Sequence, residues 1–317
     1  MKYDKKAQNS EVLSIVKSYV DPDKKKIDVT TLKGFVQDLI LRMKDIDISG
    51  MGAQLAYFFL LSFFPLLIFI VSLLPYLELK EEYVFDFIRN MVPIEVFLLA
   101  QGTITEVLTT QNGGGLIPIG ILGTIWSSSK GVNALIKTLN GAYKTKPKNG
   151  LINRAFSLVF TIALIIVILL ALILPIFGQH FFFALFSNFG AEGTFLDFWQ
   201  MVRWIIPPLL IFIVLNLMYW IIPNTDPRLH FVTVLPGATF STISWLILIY
   251  GFSYYVNNFG NFTSTYGSIA SVIILMLWLY FTGMILIFGG VLNAAIANRT
   301  LVKRKLKKGL AVKRSRA

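Results

Sequence analysis

The chain has 317 residues, of which 55% are hydrophobic and only 15% charged, with a formal net charge of +12. A soluble domain carries about 25% charged residues, so this composition excludes an ordinary water-soluble monomer. Cysteine is absent, which excludes disulfides, thiolate metal sites and cysteine nucleophiles together.

Residues 1–50 are polar and read as a cytoplasmic N-terminal region. The first apolar run begins only after them and is too long for the apolar core of a secretory signal, so it reads as a retained span. Within the region, Thr30 or Thr31 can cap a helix over 31–46. Its apolar positions Leu32, Phe35, Val36, Leu39, Ile40 and Met43 recur at helical spacing, with Lys33, Gln37, Arg42 and Lys44 opposite. This pattern predicts an amphipathic helix along the inner membrane surface that turns at Gly50 into the first span.

Residues 51–297 form the expected membrane domain. Six apolar runs lie near 51–74, 115–135, 151–177, 201–222, 231–256 and 267–297. Each is close to the roughly 20 residues that a helix needs to cross a bilayer. Lipid offers backbone amides and carbonyls no partners, so each run must satisfy its own as an α-helix. The fold class is therefore an all-α integral membrane protein of about six transmembrane helices. Between the first two runs, Glu82 to Asn90 and Pro93 to Thr109 read as short extracytoplasmic helices packing on the outer mouth, with a re-entrant pair as the alternative.

Charge is laid out by membrane side. Lys17, Lys24, Lys25, Lys26, Lys33, Arg42 and Lys44 precede the first run, whereas Glu78, Glu81, Glu82, Asp86, Glu95 and Glu106 dominate the next connection. Lys137, Lys144, Lys146, Lys148 and Arg154 follow the second run, and Glu192 and Asp197 follow the third. After Asp226 there is no acidic residue, while the tail over 298–317 holds nine lysines and arginines from Arg299 to Arg316. The positive-inside rule then places both termini in the cytoplasm, which an even number of spans requires. The basic ends can hold anionic lipid headgroups. Nucleic acid is not an expected partner, because no aromatic residue after Phe288 is interleaved with these cations to stack bases.

Catalytic chemistry is sparse. The two histidines, His180 and His230, fall on opposite expected sides, no acidic residue lies inside a run, and no HExxH, GxSxG or phosphate-loop pattern occurs. Neither a cofactor nor a metal is predicted, and a membrane-bound hydrolase or ribonuclease is the least favoured reading.

The polar residues inside the runs are the candidate site. The second run carries Trp126, Ser127, Lys130, Asn133 and Lys137, with Trp126, Lys130, Asn133 and Lys137 at helical spacing. A charge at mid-bilayer costs at least about 2.5–3.5 kcal/mol on insertion scales. Lys130 must therefore line a protein cavity or reach back to the inner interface. Gln54 and Tyr57 in the first run, Asn216 in the fourth, and Trp278 and Asn293 in the sixth complete the candidate substrate pathway, although a lone Asn also serves as interhelical glue. Gly115, Trp126 and Gly131 repeat their spacing as Gly267, Trp278 and Gly283, a short internal echo that would suit a transporter built from related halves.

The segments LAYFFLLSFFPLL from Leu55, IWSSSKGVNALIKTLNGAY from Ile125, PGATFSTISWLI from Pro236 and TYGSIASVIILMLWLYFTGMILIFGGVLNA from Thr265 resemble the YihY/BrkB family of bacterial inner-membrane proteins. The resemblance runs from about Gln54 to Asn293. It implies a six-span protein of the bacterial cell membrane, from a family that has carried a ribonuclease label which these residues do not support. The residues themselves suggest non-enzymatic transport of a lipid or lipid-linked anion. Lys130 would hold the head, Asn133 and Ser127 would hydrogen-bond it, and Trp126 with Trp278 would line the apolar part. The alternative is a membrane scaffold or assembly partner that moves nothing.

Overall fold

The computed structural model describes residues 27–73, 116–146, 149–187, 192–226, 228–259 and 269–314, with isolated positions between 85 and 105. Its helices are α1 Leu32–Ile46, α2 Ile48–Leu73, α3 Leu116–Ala142, α4 Gly150–Ser187, α5 Glu192–Ile221, α6 Phe231–Phe259 and α7 Ala270–Arg314. No strand occurs among the described residues. The chain is an all-α membrane protein. Stretches long and apolar enough to cross a bilayer lie in α2, α4, α6 and α7, and a shorter apolar stretch, Ile205–Ile221, lies in α5. α3 is diluted by its lysines, asparagines and hydroxyl side chains.

Each apolar run falls on one helix, but four helices clearly outrun their apolar stretch. α3 continues to Ala142, α4 continues to Ser187, α5 begins at Glu192, and α7 continues through the basic tail to Arg314. Hydropathy marks the part of a helix that suits lipid. Backbone hydrogen bonding continues beyond it wherever Ala, Leu, Lys and Arg, all good helix formers, follow. Between α2 and α3, the described residues Phe85, Arg89, Ile94, Phe97, Leu98, Ala100–Gly102 and Thr105 are helical, and the Phe85 and Phe97 rings meet edge to face at 6.2 Å. The choice between outer-mouth helices and a re-entrant pair lies outside the described residues, as do Gly115 and Gly267 of the internal echo.

The helix ends follow local chemistry. Thr31 caps α1, its Oγ1 accepting the Gly34 amide at 3.1 Å. Asp28 orders the preceding turn by accepting both the Thr30 amide at 3.0 Å and the Thr30 hydroxyl at 2.6 Å. These bonds favour its charged form and hold the carboxyl below the usual carboxylate value, against a smaller upward push from desolvation. The turn into the first span is made by Asp47, not by Gly50. Asp47 has φ 51° and its carboxylate accepts the Gly50 amide at 3.1 Å, so one residue ends α1 and caps α2. Lys144 plays the left-handed role after α3 at φ 57°, with Lys144 N–H donating to Gly141 O and Thr145 N–H to Asn140 O, both at 2.9 Å.

The chain forms two compact units, residues 1–42 with 295–317, and residues 43–294. In the first, Arg299 Nη2 donates to Thr30 O at 3.0 Å and its guanidinium lies 5.3 Å from the Phe35 ring centroid. Asn298 Nδ2 donates to Asp38 at 3.3 Å, and Asp38 also receives Arg42 Nε at 2.9 Å. Arg42, expected on the solvent side of α1, is buried here. In the second unit, Ala56 of α2, Phe252 and Val256 of α6, and Ile274, Leu275, Trp278 and Leu279 of α7 form an apolar core.

Candidate functional site

α2 and α3 pack antiparallel. Added methyl groups at Gly120, Gly123 and Gly131 would stand 3.0 Å from Phe69 N, 3.2 Å from Pro65 Cβ and 3.2 Å from Phe58 Cβ. Ascending positions on one helix meet descending positions on the other, and small residues permit that approach. With about 100° per residue, the exposed Gln54, Tyr57 and Leu61 sit roughly 40–100° round α2 from its α3-facing positions. The stripe Trp126, Lys130, Asn133 and Lys137 is offset from the α2-facing glycines of α3 by a similar angle in the same rotational sense. In an antiparallel pair, equal offsets of one sense fall on the same side. Gln54, Tyr57, Trp126, Lys130 and Asn133 therefore share one outward face.

That face is accessible. Trp126 is 57% exposed and Tyr57 53%, Gln54 and Lys137 are exposed, and Lys130 and Asn133 are half-buried. Lys130 Nζ lies 3.6 Å from the centroid of the Trp126 ring. Side chains on a helix tilt toward its N-terminus, and Trp126 lies one turn in that direction. The ammonium is thus drawn toward the N-terminal side of α3, not toward the basic end at Lys137 and Lys144. The ring face, electron-rich by its quadrupole, supplies the cation with a partner in the absence of water.

Ser127, expected beside Lys130 as a hydrogen-bond donor to the same head, is instead buried. Its hydroxyl donates to Gly123 O of its own helix and lies 3.4 Å from Thr124 O. Thr124, Ser129 and Thr138 also donate to carbonyls three or four residues back in α3. This is the ordinary way a helix satisfies Ser and Thr where water is absent. Trp126 and Trp278 are not brought together. Trp278 is buried in the core with its ring 6.5 Å from that of Trp245, and its Nε1 has no hydrogen-bond partner.

Of the remaining candidates, Asn293 lies in a buried seam where α5, α6 and α7 meet. Pro236 removes one amide from α6 and crowds the preceding turn. The next amide, Gly237 N–H, donates to Asn293 Oδ1 at 2.8 Å, and Asn293 Nδ2 donates to Val234 O at 2.9 Å. One turn along, the Tyr219 hydroxyl donates to Leu286 O at 2.6 Å and lies 3.0 Å from Ser241 Oγ, which itself donates to Ile285 O at 3.2 Å. Asn293 thus stands as interhelical glue. Asn216 is buried nearby in sequence, and its Oδ1 has no partner, like Thr282 Oγ1. Tyr219 and Ser241 were not among the sequence candidates. The available signal was Gly289–Gly290, where absent side chains leave room for a Tyr from the neighbouring helix.

Asn140, at the end of the same polar stretch of α3, was not among the candidate pathway residues either. Its Nδ2 donates to Ile136 O, while its Oδ1 accepts the Asn224 amide at 2.9 Å and the Thr145 hydroxyl at 3.0 Å, tying the end of α3 to the connection after α5. Among the described residues, no three His, Asp or Glu side chains converge as a metal centre would need.

The family model described as virulence factor BrkB matches residues 39–313. A Bacillus subtilis strain 168 protein with a provisional ribonuclease-like name, YfkH, is 40% identical over 267 residues, covering 84% of this chain and 96% of that protein. A UPF0761 membrane protein of Vibrio campbellii is 24% identical over 268 residues, covering 84% of this chain and 82% of its own. Another from Vibrio parahaemolyticus is 25% identical over 281 residues with the same coverage. No solved structure matches.

Proposed function

The chain belongs to the BrkB virulence-factor family of membrane proteins, and from that premise we propose that it moves a lipid or lipid-linked anion across the bacterial cell membrane without catalysing a reaction. In this reading α2 to α7 are six spans with both termini cytoplasmic, as the lysine and arginine distribution favours.

The observation that carries the reading is Lys130 stacked on the exposed Trp126. A cation held partway along an exposed membrane helix is costly unless something anionic repays it. With Asn133, Gln54 and Tyr57 on the same face, it suits an amphiphile whose charged head follows the polar stripe while its tails stay in lipid. A path on the outside of the α2–α3 pair needs no channel through the bundle. Ser127 takes no direct part in this path; Trp278 belongs to the apolar core, Asn216 is buried in α5, and Asn293 ties α7 to α6.

The same face also suits a second reading, an assembly surface for another membrane protein, because exposed Trp and Tyr are effective contact residues. A ribonuclease-like activity, suggested by the Bacillus relative's name, is the least favoured, for want of an acid–base or metal-ligand cluster among the described residues. The test is a flip assay in proteoliposomes with a fluorescent anionic phospholipid. Wild-type protein should accelerate its movement and Lys130→Gln should abolish most of the acceleration. Equal rates for the two proteins would overturn the proposal.

A further inference from the structure

The unit built from the start of α1 and the end of α7 turns the expected amphipathicity of α1 to a particular use. Arg299 binds the Thr30 carbonyl and stacks on Phe35, Asn298 reaches Asp38, and Asp38 holds Arg42. These contacts occupy the side of α1 that carries Phe35, Asp38 and Arg42. The opposite side keeps three large aliphatic residues one turn apart, Leu32, Val36 and Ile40, exposed at 73%, 43% and 46%. Lys33 and Lys44 border this stripe and are exposed. A row of aliphatic side chains flanked by lysines is the pattern of a helix lying in a headgroup layer. Although Asp38 and Asp45 lie on α1, residues 1–42 and 295–317 together carry 18 Lys and Arg against 6 Asp and Glu, a balance that suits an anionic lipid surface better than a soluble protein partner. Only Asp47 separates α1 from α2, a helix apolar enough to cross a bilayer, so a lipid surface is always within reach.

We infer that α1 docks on an anionic lipid surface, inserting Leu32, Val36 and Ile40 among the acyl chains near the headgroups. The C-terminal extension of α7 clasps the opposite side of α1 and sets which face is presented. Lys33, Lys44 and the basic tail neutralise lipid phosphates, and each cation adds to an attraction that salt screens. This docking is independent of whether the protein moves lipid.

The chain's lack of cysteine makes the test direct. The full-length protein is prepared as four single-cysteine variants, Leu32→Cys, Val36→Cys, Ile40→Cys and Gln37→Cys, each carrying an environment-sensitive fluorophore. They are reconstituted in vesicles of mixed phosphatidylglycerol and phosphatidylcholine that contain brominated acyl chains. Quenching at positions 32, 36 and 40 should exceed that at 37 by about threefold or more, and should fall in pure phosphatidylcholine or in high salt. Equal quenching at all four positions, or none at any, would overturn the inference. Positions 32, 36 and 40 shielded from both brominated lipid and aqueous iodide would mean that protein covers the stripe, which would overturn it too.

Discussion

Lys130 Nζ lies 3.6 Å from the centroid of the Trp126 ring, so the one ammonium in the middle of α3 is held by an aromatic face on its own helix. The arrangement holds the cation in place at the N-terminal side of its own Cα while leaving its hydrogen-bond donors available. Its contribution to folding is small, about 0.5–2 kcal/mol. Lys130→Met should therefore leave the thermal midpoint in detergent nearly unchanged. Anionic lipid retained by the purified protein, read by native mass spectrometry, should fall about tenfold, equivalent to about 1.4 kcal/mol of binding. Lys137→Met, on the same stripe but nearer the end of α3, should retain lipid like wild type.

Asn293 pairs with both an amide and a carbonyl of α6. Asn293→Leu fills the space but leaves Gly237 N–H and Val234 O without these partners, at a cost of about 1–3 kcal/mol. Asn293→Asp, kept neutral by burial, can accept from Gly237 and offer its one O–H to Val234 in a less suitable geometry, and should fall between. Equilibrium unfolding in mixed micelles reads the order wild type, Asp, Leu.

Two glycines should respond in opposite ways to the same substitution. A methyl at Gly289 would overlap Ser241 Oγ and stand 2.8 Å from both Gly237 O and the Tyr219 hydroxyl. Gly289→Ala should destabilise by about 1–3 kcal/mol, because the seam must open to admit it. Gly251 in α6 has nothing within 4 Å of such a methyl. Gly251→Ala should be stabilising by about 0.5–1 kcal/mol through the smaller backbone entropy lost on folding. The same unfolding assay distinguishes them.

Asp28 carries a pH dependence of defined sign. Its carboxyl titrates below the ordinary value of 3.8 because Thr30 donates to its charged form. The contribution is therefore complete above the unfolded value and is lost as pH falls through the lower folded value. Hydrogen exchange of the Thr30 amide should stay slow relative to chain-intrinsic rates down to about pH 4 and lose protection only below it. In Asp28→Asn, whose side-chain oxygen can still accept without titrating, the protection should not depend on acid.

Reading hydropathy alone located α2 to α7, because lipid forces a long apolar run to satisfy its own backbone. It did not locate their ends, since nothing in hydropathy stops α7 at Ala297 when helix formers follow. Thr31 was legible as a cap. Asp47 was not, because an Asp that ends one helix while starting the next looks in sequence like any polar residue before a span. The exposed stripe of α3 was legible in spacing. Its placement outside the bundle depends on which side α2 occupies, and that follows from Gly120, Gly123 and Gly131 acting together. Ser127 was misplaced because a hydroxyl one residue from Trp126 points to a different quadrant of the helix. Tyr219 and Ser241 were invisible because their partners, the Leu286 and Ile285 carbonyls, belong to a backbone that no side-chain pattern describes.

The tyrosine, serine and asparagine between α5, α6 and α7 grip neighbouring backbone, not one another's side chains alone. Pulling these three helices apart would strand amides and carbonyls in hydrocarbon, whereas sliding α3 along α2 disturbs mainly carbon against carbon, apart from the Asn140 bond at the end of α3. If the protein cycles between shapes, the former trio is the fixed axle and the latter pair the moving part.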